Sequence, residues 1–364
     1  MLRVFVRYCA KINRRGQAAR RGFVRQSTSW VIAWTAAAAI IFGAIAYFNR
    51  EAQETARLDL ERDAIAAANK GQDESGPIVA IIKPTRLNQE KIKLGRALFH
   101  DQRLSKDNSI SCAFCHDLAR GGVDGLARSI GVDGKTGDIN SPTIYNVSLM
   151  SAQFWDGRAR DLEEQVDGPI ANPLEMATSW DEILIKLNLD DELVEQFEDI
   201  YASPPNRANA INAIVEFEKS LITPSRFDRW LLGDDSAITA DELKGYNIFV
   251  ESGCAACHQG AAIGGNMFQL FGVARNYYDG SRKTEKSDFG RYNVTGREED
   301  RYVFKVPTLR NVELTAPYFH DASVDTLYEA VNRMGSYQLG VDLDEEDARQ
   351  ITLFLRALTG DELR

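Results

Sequence analysis

The pentapeptide CAFCH at residues 112–116 has a counterpart at residues 254–258, where the sequence reads CAACH. Two cysteines separated by two residues and followed directly by histidine form the attachment signature of a c-type haem. The thiols can form thioethers with the porphyrin vinyl groups, and the histidine can bind the iron. The adjacent histidine disfavours a thioredoxin-like redox pair or half of a zinc site. We therefore predict two covalently bound haem c groups. The predicted attachment residues and proximal ligands are Cys112, Cys115, His116, Cys254, Cys257 and His258.

The charge of the chain is unevenly distributed. Of its 43 Lys and Arg residues, nine lie in residues 1–50, which contain no Asp or Glu. The rest of the chain is therefore more acidic than the net charge of −10 suggests. This acidity argues against nucleic acid as a partner and favours a basic soluble protein, which long-range attraction would steer toward the surface.

Residues 30–48 form an apolar run of 19 residues without a charged side chain. This length suffices for one transmembrane helix, and the basic residues 1–29 predict a cytoplasmic N-terminus. The alternative is a signal peptide cleaved after Ala46, which would leave a soluble periplasmic protein. We favour an anchor in the inner membrane, because the run is long for a signal peptide and has aromatic residues at both ends. Either route exports the remaining chain to the periplasm, where haem attachment takes place.

Helical periodicity and turn residues predict a mostly α fold with two cytochrome c-like haem domains and long irregular loops. Residues 49–82 are expected to form a polar stalk, 83–236 the first haem domain and 237–364 the second. Thr239 and Glu242 form a capping box that opens a helix before the second haem motif. The remaining predicted helices are 89–100, 180–201, 207–222, 323–334 and 344–358.

The sixth iron ligand distinguishes an electron carrier from a catalyst. Met267 and Met334 are the candidates in the second half, and Met267 follows His258 too closely to reach the far face of the ring with ease. For Met334, spacing leaves packing within the apolar stripe of its helix as an equal alternative. No methionine is marked as a ligand in the first half, so its haem is expected to keep an open site for a small molecule such as hydrogen peroxide. One closed and one open haem predict a peroxidase rather than an electron shuttle.

Six short segments of the chain resemble the bacterial dihaem cytochrome c peroxidases, the family that includes the MauG proteins. The resemblance runs from about residue 84 to residue 364 and leaves the predicted anchor and stalk outside it. The segments are LFHDQRLS at 98–105, NSPT at 140–143, AQFWDGR at 152–158, GPIANPLEM at 168–176, PTLRNV at 307–312 and TAPYFH at 315–320.

The resemblance implies that the first haem is the peroxide site and the second is the entry site for electrons. It assigns Met334 as the distal ligand of the second haem, where a thioether raises the reduction potential. Glu175 matches the family's acid/base residue, which takes a proton from peroxide and returns it to the departing oxygen. Trp155 matches the tryptophan between the haems, and Gln165 matches a polar residue of the peroxide pocket. Without the resemblance, Glu175 would be interpreted as a solvated carboxylate and Trp155 as an ordinary buried aromatic residue.

The resemblance also implies a calcium ion between the two domains. Asn140, Thr315 and Pro317 match the family's calcium ligands. An asparagine amide and two backbone carbonyls supply the oxygen atoms that calcium prefers. Such an ion would hold the two domains together.

Two positions depart from the family pattern. Many members carry a histidine that caps the resting peroxide haem, and Val132 occupies that position here. Valine cannot bind iron, so we predict a first haem that is open without reductive activation. His100 stands where phenylalanine is common. A role beside the first haem or its propionates is one option there, and we favour a buried structural histidine.

The leading hypothesis is a peroxidase that reduces hydrogen peroxide with electrons from a small cytochrome c or cupredoxin. A MauG-like enzyme that oxidises a partner protein is an alternative, although Met334 argues against it because relatives of that type carry tyrosine there. A membrane-tethered dihaem electron carrier is a third alternative, from a non-enzyme class. The oligomeric state is left open, with a homodimer as one option.

Overall fold

The computed structural model describes residues 76–280 and 283–364. The membrane span predicted at 30–48 and most of the predicted stalk lie outside the described residues. Within the described ranges, no helix combines the length and the apolar composition needed to cross a membrane. All of the described residues belong to one unit, Gln72–Arg364.

The described chain is mostly helical, as the sequence predicts. Its helices are α1 Gln89–Phe99, α2 Cys112–Cys115, α3 Leu162–Ala171, α4 Trp180–Leu187, α5 Asp191–Tyr201, α6 Arg207–Ser220, α7 Arg226–Leu231, α8 Ala240–Glu251, α9 Tyr292–Thr295, α10 Leu327–Met334 and α11 Glu345–Ala357. A small antiparallel sheet pairs β1 Phe268–Leu270 with β2 Val303–Lys305. Long loops with many 3₁₀ turns connect these elements.

Two helix pairs have the same construction. Helix α1 precedes the first haem motif and packs against α6, and α8 precedes the second motif and packs against α11. At each crossing a glycine faces a backbone carbonyl. A Cβ atom at Gly95 would lie 1.9 Å from the oxygen of Ala213, and one at Gly245 would lie 1.9 Å from the oxygen of Gln350. Only glycine permits this approach, so the two halves share this feature as an internal structural repeat.

A second matched feature joins the two halves. The octapeptides PTIYNVSL at 142–149 and PTLRNVEL at 307–314 share Pro-Thr, Asn-Val and Leu at the same spacing. Their asparagines, Asn146 and Asn311, have the same left-handed backbone conformation, with φ of 62°. Each donates its side-chain amide to Oγ1 of buried Thr223 at 2.9 Å. The hydroxyl group of Thr223 thus binds one loop of the first half and the matching loop of the second half.

Each half also has its own hydrophobic core, the first including Phe99 and the second including Phe354. A buried ion pair supports the second half. The guanidinium of Arg310 is fully buried and donates to both carboxylate oxygens of Asp228, at 2.8 and 2.9 Å. The backbone N–H of Ile81 donates to the same carboxylate at 2.8 Å. This pair therefore ties the start of the described chain to the segment that follows β2.

The helix predicted at 180–201 is divided in the structure. The side chain of Asp190 accepts the backbone N–H of Leu193 at 3.1 Å and so caps the start of α5. Aspartate in this role ends one helix and begins the next, because it satisfies a backbone donor that has no partner inside the helix. The capping box of Thr239 and Glu242 is present at the start of α8, as predicted.

The helix that carries Met334 also differs from the prediction. Helix α10 begins at Leu327 with Thr326 as its cap, so the predicted start at Ser323 was wrong. The chain does not leave the helical path after Met334 but continues as the π-helical turn Gly335–Leu339. Met334 therefore lies at a change of helix type, and such changes are frequent at functional sites.

Candidate functional site

One cavity of about 350 Å³ is lined by residues of both halves. Its wall includes the histidines of both haem motifs and most of the side chains predicted around them. Cys112 is not part of the wall and packs against the first hydrophobic core instead. The predicted site residues on the wall are Cys115, His116, Asn140, Trp155, Gln165, Glu175, Cys254, Cys257, His258, Thr315, Pro317 and Met334.

The two CxxCH motifs fold alike. The backbone N–H of His116 donates to the carbonyl of Cys112 at 3.0 Å, and that of His258 donates to the carbonyl of Cys254 at 3.0 Å. Burial raises the pKa of Cys112 to about 12 and that of Cys254 to about 11. Thioether attachment of haem uses two such thiols and an adjacent histidine, and each motif supplies all three groups.

Both motif histidines are held in the neutral form. Burial lowers the pKa of His116, and its Nδ1 lies 3.1 Å from the carbonyl oxygen of Gly122. A proton donated from Nδ1 to this carbonyl leaves Nε2 free for a metal. Burial lowers the pKa of His258 to about 4, although the carbonyls of Ile263 and Pro307 act in the opposite direction. Among the described residues, no group forms a hydrogen bond of normal geometry with Nδ1 of His258. Neutral imidazoles of this kind suit iron.

The structure separates the two candidate methionines of the second half. Met334 lies on the cavity wall together with His258, and Met267 does not. The backbone carbonyl of Met267 accepts the N–H of Val306 at 2.9 Å, which fixes this residue beside β2. Placement on the wall favours Met334 as the distal ligand predicted from the family resemblance.

Glu175 lies on the cavity wall just after α3, the helix that carries Gln165. Its Oε1 accepts a hydrogen bond of 2.6 Å from the side-chain amide of Asn172. Burial raises the pKa of Glu175, while the Asn172 amide and the positive charge of Arg158 act in the opposite direction. A carboxyl with a raised pKa that faces a cavity is suited to act as a proton donor and acceptor.

Val132 lies beside Glu175 but does not face the cavity. Its backbone N–H donates to the carbonyl of Glu175 at 2.9 Å. Its side chain is 1% exposed and packs in the first hydrophobic core, and Val132 is not among the wall residues. A Cβ atom at the preceding Gly131 would lie 2.0 Å from the carbonyl oxygen of Leu174, so this loop is held close to the Glu175 segment. The loop therefore presents no ligand to the cavity at this position.

Trp155 connects a loop of the first half with a strand of the second. Its indole Nε1 donates to the carbonyl of Asn140 at 2.9 Å, and its own carbonyl accepts the backbone N–H of Lys305 at 2.8 Å. The ring lies edge-on to His320 with 6.3 Å between the ring centroids. These contacts fix the orientation of the indole on the wall that the two halves share.

The three predicted calcium ligands are all on this wall. The side-chain nitrogen of Asn140 donates to the carbonyl of Leu126 at 2.9 Å, which leaves its side-chain oxygen available as an acceptor. Its backbone N–H donates to the carbonyl of His320 at 3.0 Å. Within the described chain, no backbone N–H donates to the carbonyl of Thr315 or Pro317. The residues thus offer the uncommitted oxygen atoms that calcium requires.

Sequence reasoning missed three buried titratable side chains on the wall. Lys305 and Glu218 are 7% and 5% exposed, and neither forms an ion pair with another described residue. Burial raises the pKa of Glu218 to about 8, with a further contribution from Glu163. His320 is 3% exposed, and its Nε2 lies 2.9 Å from a carboxylate oxygen of Asp288. Lys305 and Glu218 appear in the sequence only as charged residues within apolar segments, and most such residues are exposed. His320 lies in the TAPYFH segment, but no role was predicted for it.

The prediction for His100 was wrong. This residue is exposed at the end of α1 and is not a wall residue of the cavity. Its Nδ1 lies 2.9 Å from the carbonyl oxygen of Arg96, which also accepts the backbone N–H of His100 at 3.3 Å, so the ring adds a hydrogen bond to the last helical turn. A polar side chain at this position is explained by helix capping and not by the cavity.

Comparison with known proteins defines the class to which this fold and site belong. Residues 89–236 match the family model of the di-haem cytochrome c peroxidases. Among solved structures, the fold is similar to that of a MauG-like protein associated with microbial copper homeostasis, with a TM-score of 0.69 and 27% identity. That similarity covers 80% of this chain and 96% of the other. The fold is that of the MauG and dihaem peroxidase group.

Two curated relatives are more similar in sequence. Over 286 residues the chain is 48% identical to cytochrome c peroxidase Ccp of Escherichia coli, a match that covers 78% of this chain and 61% of that relative. Over 308 residues it is 46% identical to cytochrome c551 peroxidase of Nitrosomonas europaea, covering 84% of this chain and 90% of that relative. The chain belongs to the di-haem cytochrome c peroxidase family. The resemblance found in the sequence is thereby confirmed.

Proposed function

We propose that the protein reduces hydrogen peroxide to two molecules of water, using two electrons and two protons. The electrons come from a small periplasmic cytochrome c or cupredoxin. The observation that carries this proposal is the single cavity wall that holds both motif histidines together with Glu175, Trp155 and Met334. The names of the two peroxidase relatives support the same activity.

Two covalently bound haem c groups supply the redox chemistry of this reaction. In the first haem domain, taken as 83–236, Cys115 faces the cavity and Cys112 packs against the first hydrophobic core. In the second, taken as 237–364, both motif cysteines face the cavity. His116 would offer a neutral ring nitrogen to the iron of the first haem, and His258 would do so for the second. Met334 would be a further ligand of the second haem, and peroxide would bind at the first haem, for which no methionine ligand is proposed.

The side chains of the first half handle the protons of the reaction. Glu175, in its ionised form, takes a proton from peroxide at Oε and returns it to the oxygen that leaves as water. The amide of Asn172 holds one carboxylate oxygen in place. Gln165, on the same wall, donates a hydrogen bond that orients peroxide beside the carboxylate.

Trp155 serves the transfer of electrons between the halves. Its indole N–H donates to the carbonyl of Asn140, and its backbone carbonyl accepts the N–H of Lys305. These two hydrogen bonds hold the side chain and the backbone of the residue in place. An aromatic ring held in one orientation on the shared wall shortens the path that an electron must cross. The acidic surface of the exported chain favours a basic electron donor.

The activity is tested by steady-state turnover of a reduced small cytochrome c with hydrogen peroxide. We expect oxidation of two equivalents of donor for each equivalent of peroxide. A dihaem electron carrier would show no turnover. A MauG-like enzyme would consume peroxide only with a partner protein as the oxidised substrate, and Met334 in the second half argues against that outcome.

In the fully oxidised protein, we expect the first haem to be high-spin and the second to be low-spin. The reason is that Val132 offers no ligand and packs in the hydrophobic core. Electron paramagnetic resonance of the resting enzyme, before any reduction, measures both spin states. Two low-spin signals would show that another side chain closes the first site, and the predicted resting state would then be wrong.

We further propose a calcium ion bound by Asn140, Thr315 and Pro317. Replacing Asn140 with alanine is expected to weaken calcium binding by at least about tenfold, because one oxygen ligand is lost. Isothermal titration of chelator-treated protein with calcium measures the affinity. The exposed Asn293 provides the matched control, and Asn293→Ala should bind calcium like the wild type. Equal affinity in Asn140→Ala and the wild type would contradict this assignment.

The location of the protein is also a proposal. An apolar segment at 30–48 would anchor the chain in the inner membrane, with the peroxidase domains in the periplasm and residues 49–82 as a stalk. The alternative is a soluble periplasmic enzyme after cleavage of a signal peptide. Mass spectrometry of the mature N-terminus distinguishes the two, and sedimentation of the purified protein tests for a homodimer.

A further inference from the structure

Lys305 places an ammonium group in the cavity without an opposite charge. It is the last residue of β2, where it pairs with Phe268 of β1, and it is 7% exposed. Its Nζ has Met150 Sδ as a neighbour at 3.2 Å, and no carboxylate of the described chain lies within ion-pair distance. A thioether is only a weak acceptor and carries no charge, so it does not balance an ammonium group.

The backbone of Lys305 is held in place on both sides. Its N–H donates to the carbonyl of Trp155 at 2.8 Å, and the strand pairing with Phe268 fixes the residue on the other side. Burying an unpaired charge is unfavourable, and native proteins pair such groups with an anion. Burial lowers the pKa of Lys305 to about 8, which is the response of an ammonium group that lacks a partner.

The cavity provides a reason for a cation at this place. Each haem carries two propionate carboxylates, and these need donors when they are removed from water. Arg158, another cation on the wall, already donates to Asp156 at 3.0 Å. Among the wall residues of the described chain, Lys305 is the buried cation that has no carboxylate partner.

We propose that Lys305 binds a haem propionate in this cavity and thereby raises the reduction potential of that haem. The inference rests on the proposed function in one respect, namely that haem occupies the cavity. A positive charge beside a haem favours the reduced iron, which carries one positive charge less than the oxidised iron. A buried ammonium–carboxylate contact is strong because water does not screen it. Lys305 is therefore a cofactor-binding residue. One backbone hydrogen bond joins it to Trp155.

The test compares Lys305→Met with Lys305→Arg in the full-length protein. Methionine has a similar length without the charge, and arginine retains the charge. Potentiometric titration followed by visible absorption gives the midpoint potential of each haem. We expect Lys305→Met to lower the equilibrium constant for reduction of one haem about tenfold, which corresponds to about 59 mV for one electron. Lys305→Arg should stay close to the wild type. The exposed Lys106 supplies the control, and Lys106→Met should leave both potentials unchanged.

The haem content of every variant is measured as the pyridine haemochrome. If Lys305→Met loses haem and Lys305→Arg keeps both groups, the charge is required for binding, which also supports the inference. Loss of haem from both variants would assign the role to the shape of the side chain and overturn it. Two haems with unchanged potentials in Lys305→Met would overturn it as well. A wild type with fewer than two haems, or without peroxide turnover, would instead refute the proposed function.

Discussion

Replacing Glu175 with glutamine is expected to lower the turnover of hydrogen peroxide by about 10²–10⁴-fold, the usual contribution of a general acid–base. Glutamine keeps the shape of the side chain and a hydrogen-bonding group toward Asn172, but it cannot take up or release a proton. The defect should therefore appear in kcat, with both haems still attached and both midpoint potentials unchanged. Stopped-flow reaction of the reduced enzyme with peroxide measures the step directly.

The pH dependence provides an independent readout of the same residue. Burial raises the pKa of Glu175 above its ordinary value of 4.5. Because the ionised form is the proton acceptor, kcat/KM of the wild type should fall as the pH drops through this raised pKa. The Glu175→Gln variant should lack this acidic limb. Glu192 is exposed on α5, and Glu192→Gln is the matched control that keeps wild-type activity. Full activity of Glu175→Gln would remove Glu175 from the mechanism.

Replacing Met334 with alanine is expected to lower the midpoint potential of the second haem by on the order of 0.1 V or more, within the range of about 0.8 V that axial ligands span. The thioether stabilises the reduced iron, and alanine offers no ligand in its place. A decrease of about 59 mV in the midpoint potential lowers the equilibrium constant for one-electron reduction tenfold. The donor cytochrome would therefore reduce this haem poorly. Potentiometric titration gives the shift, and electron paramagnetic resonance should show a second high-spin haem.

Met267 provides the control for this prediction. It is the other methionine considered from spacing, and it is absent from the cavity wall. Met267→Ala should leave the potential and the spin state of the second haem as in the wild type. If Met267→Ala caused the shift and Met334→Ala did not, the ligand assignment would have to be reversed.

Local chemical rules made part of this structure predictable. The CxxCH motifs, the capping box at Thr239 and the long helices follow from contacts between residues close in the sequence. The split at Asp190 was missed because one residue can continue a helical periodicity and also cap the next helix. His100 was placed in the interior by comparison with phenylalanine, whereas its ring is exposed and forms a hydrogen bond with the carbonyl of Arg96 at the end of α1.

The remaining features depend on contacts between distant segments. The periodicity of α1 and α8 does not reveal that Gly95 and Gly245 meet a carbonyl of another helix. Nor does the sequence distinguish Lys305 from an exposed lysine, since its burial arises only when β2 closes one side of the cavity. The sequence also does not show that Met334 lies on the cavity wall and that Met267 does not. Sequence patterns named the candidate ligands, and tertiary packing shows which of them face the cavity.

The hydroxyl of Thr223 has a thermodynamic consequence. An oxygen of this kind has two lone pairs, and both are occupied by amide donors, one from Asn146 and one from Asn311. Opening either loop would break one of these two hydrogen bonds, and loss of the hydroxyl would leave two buried amide groups without this acceptor. The two halves are thus linked through one oxygen atom, and we expect this contact to favour their melting as a single cooperative unit.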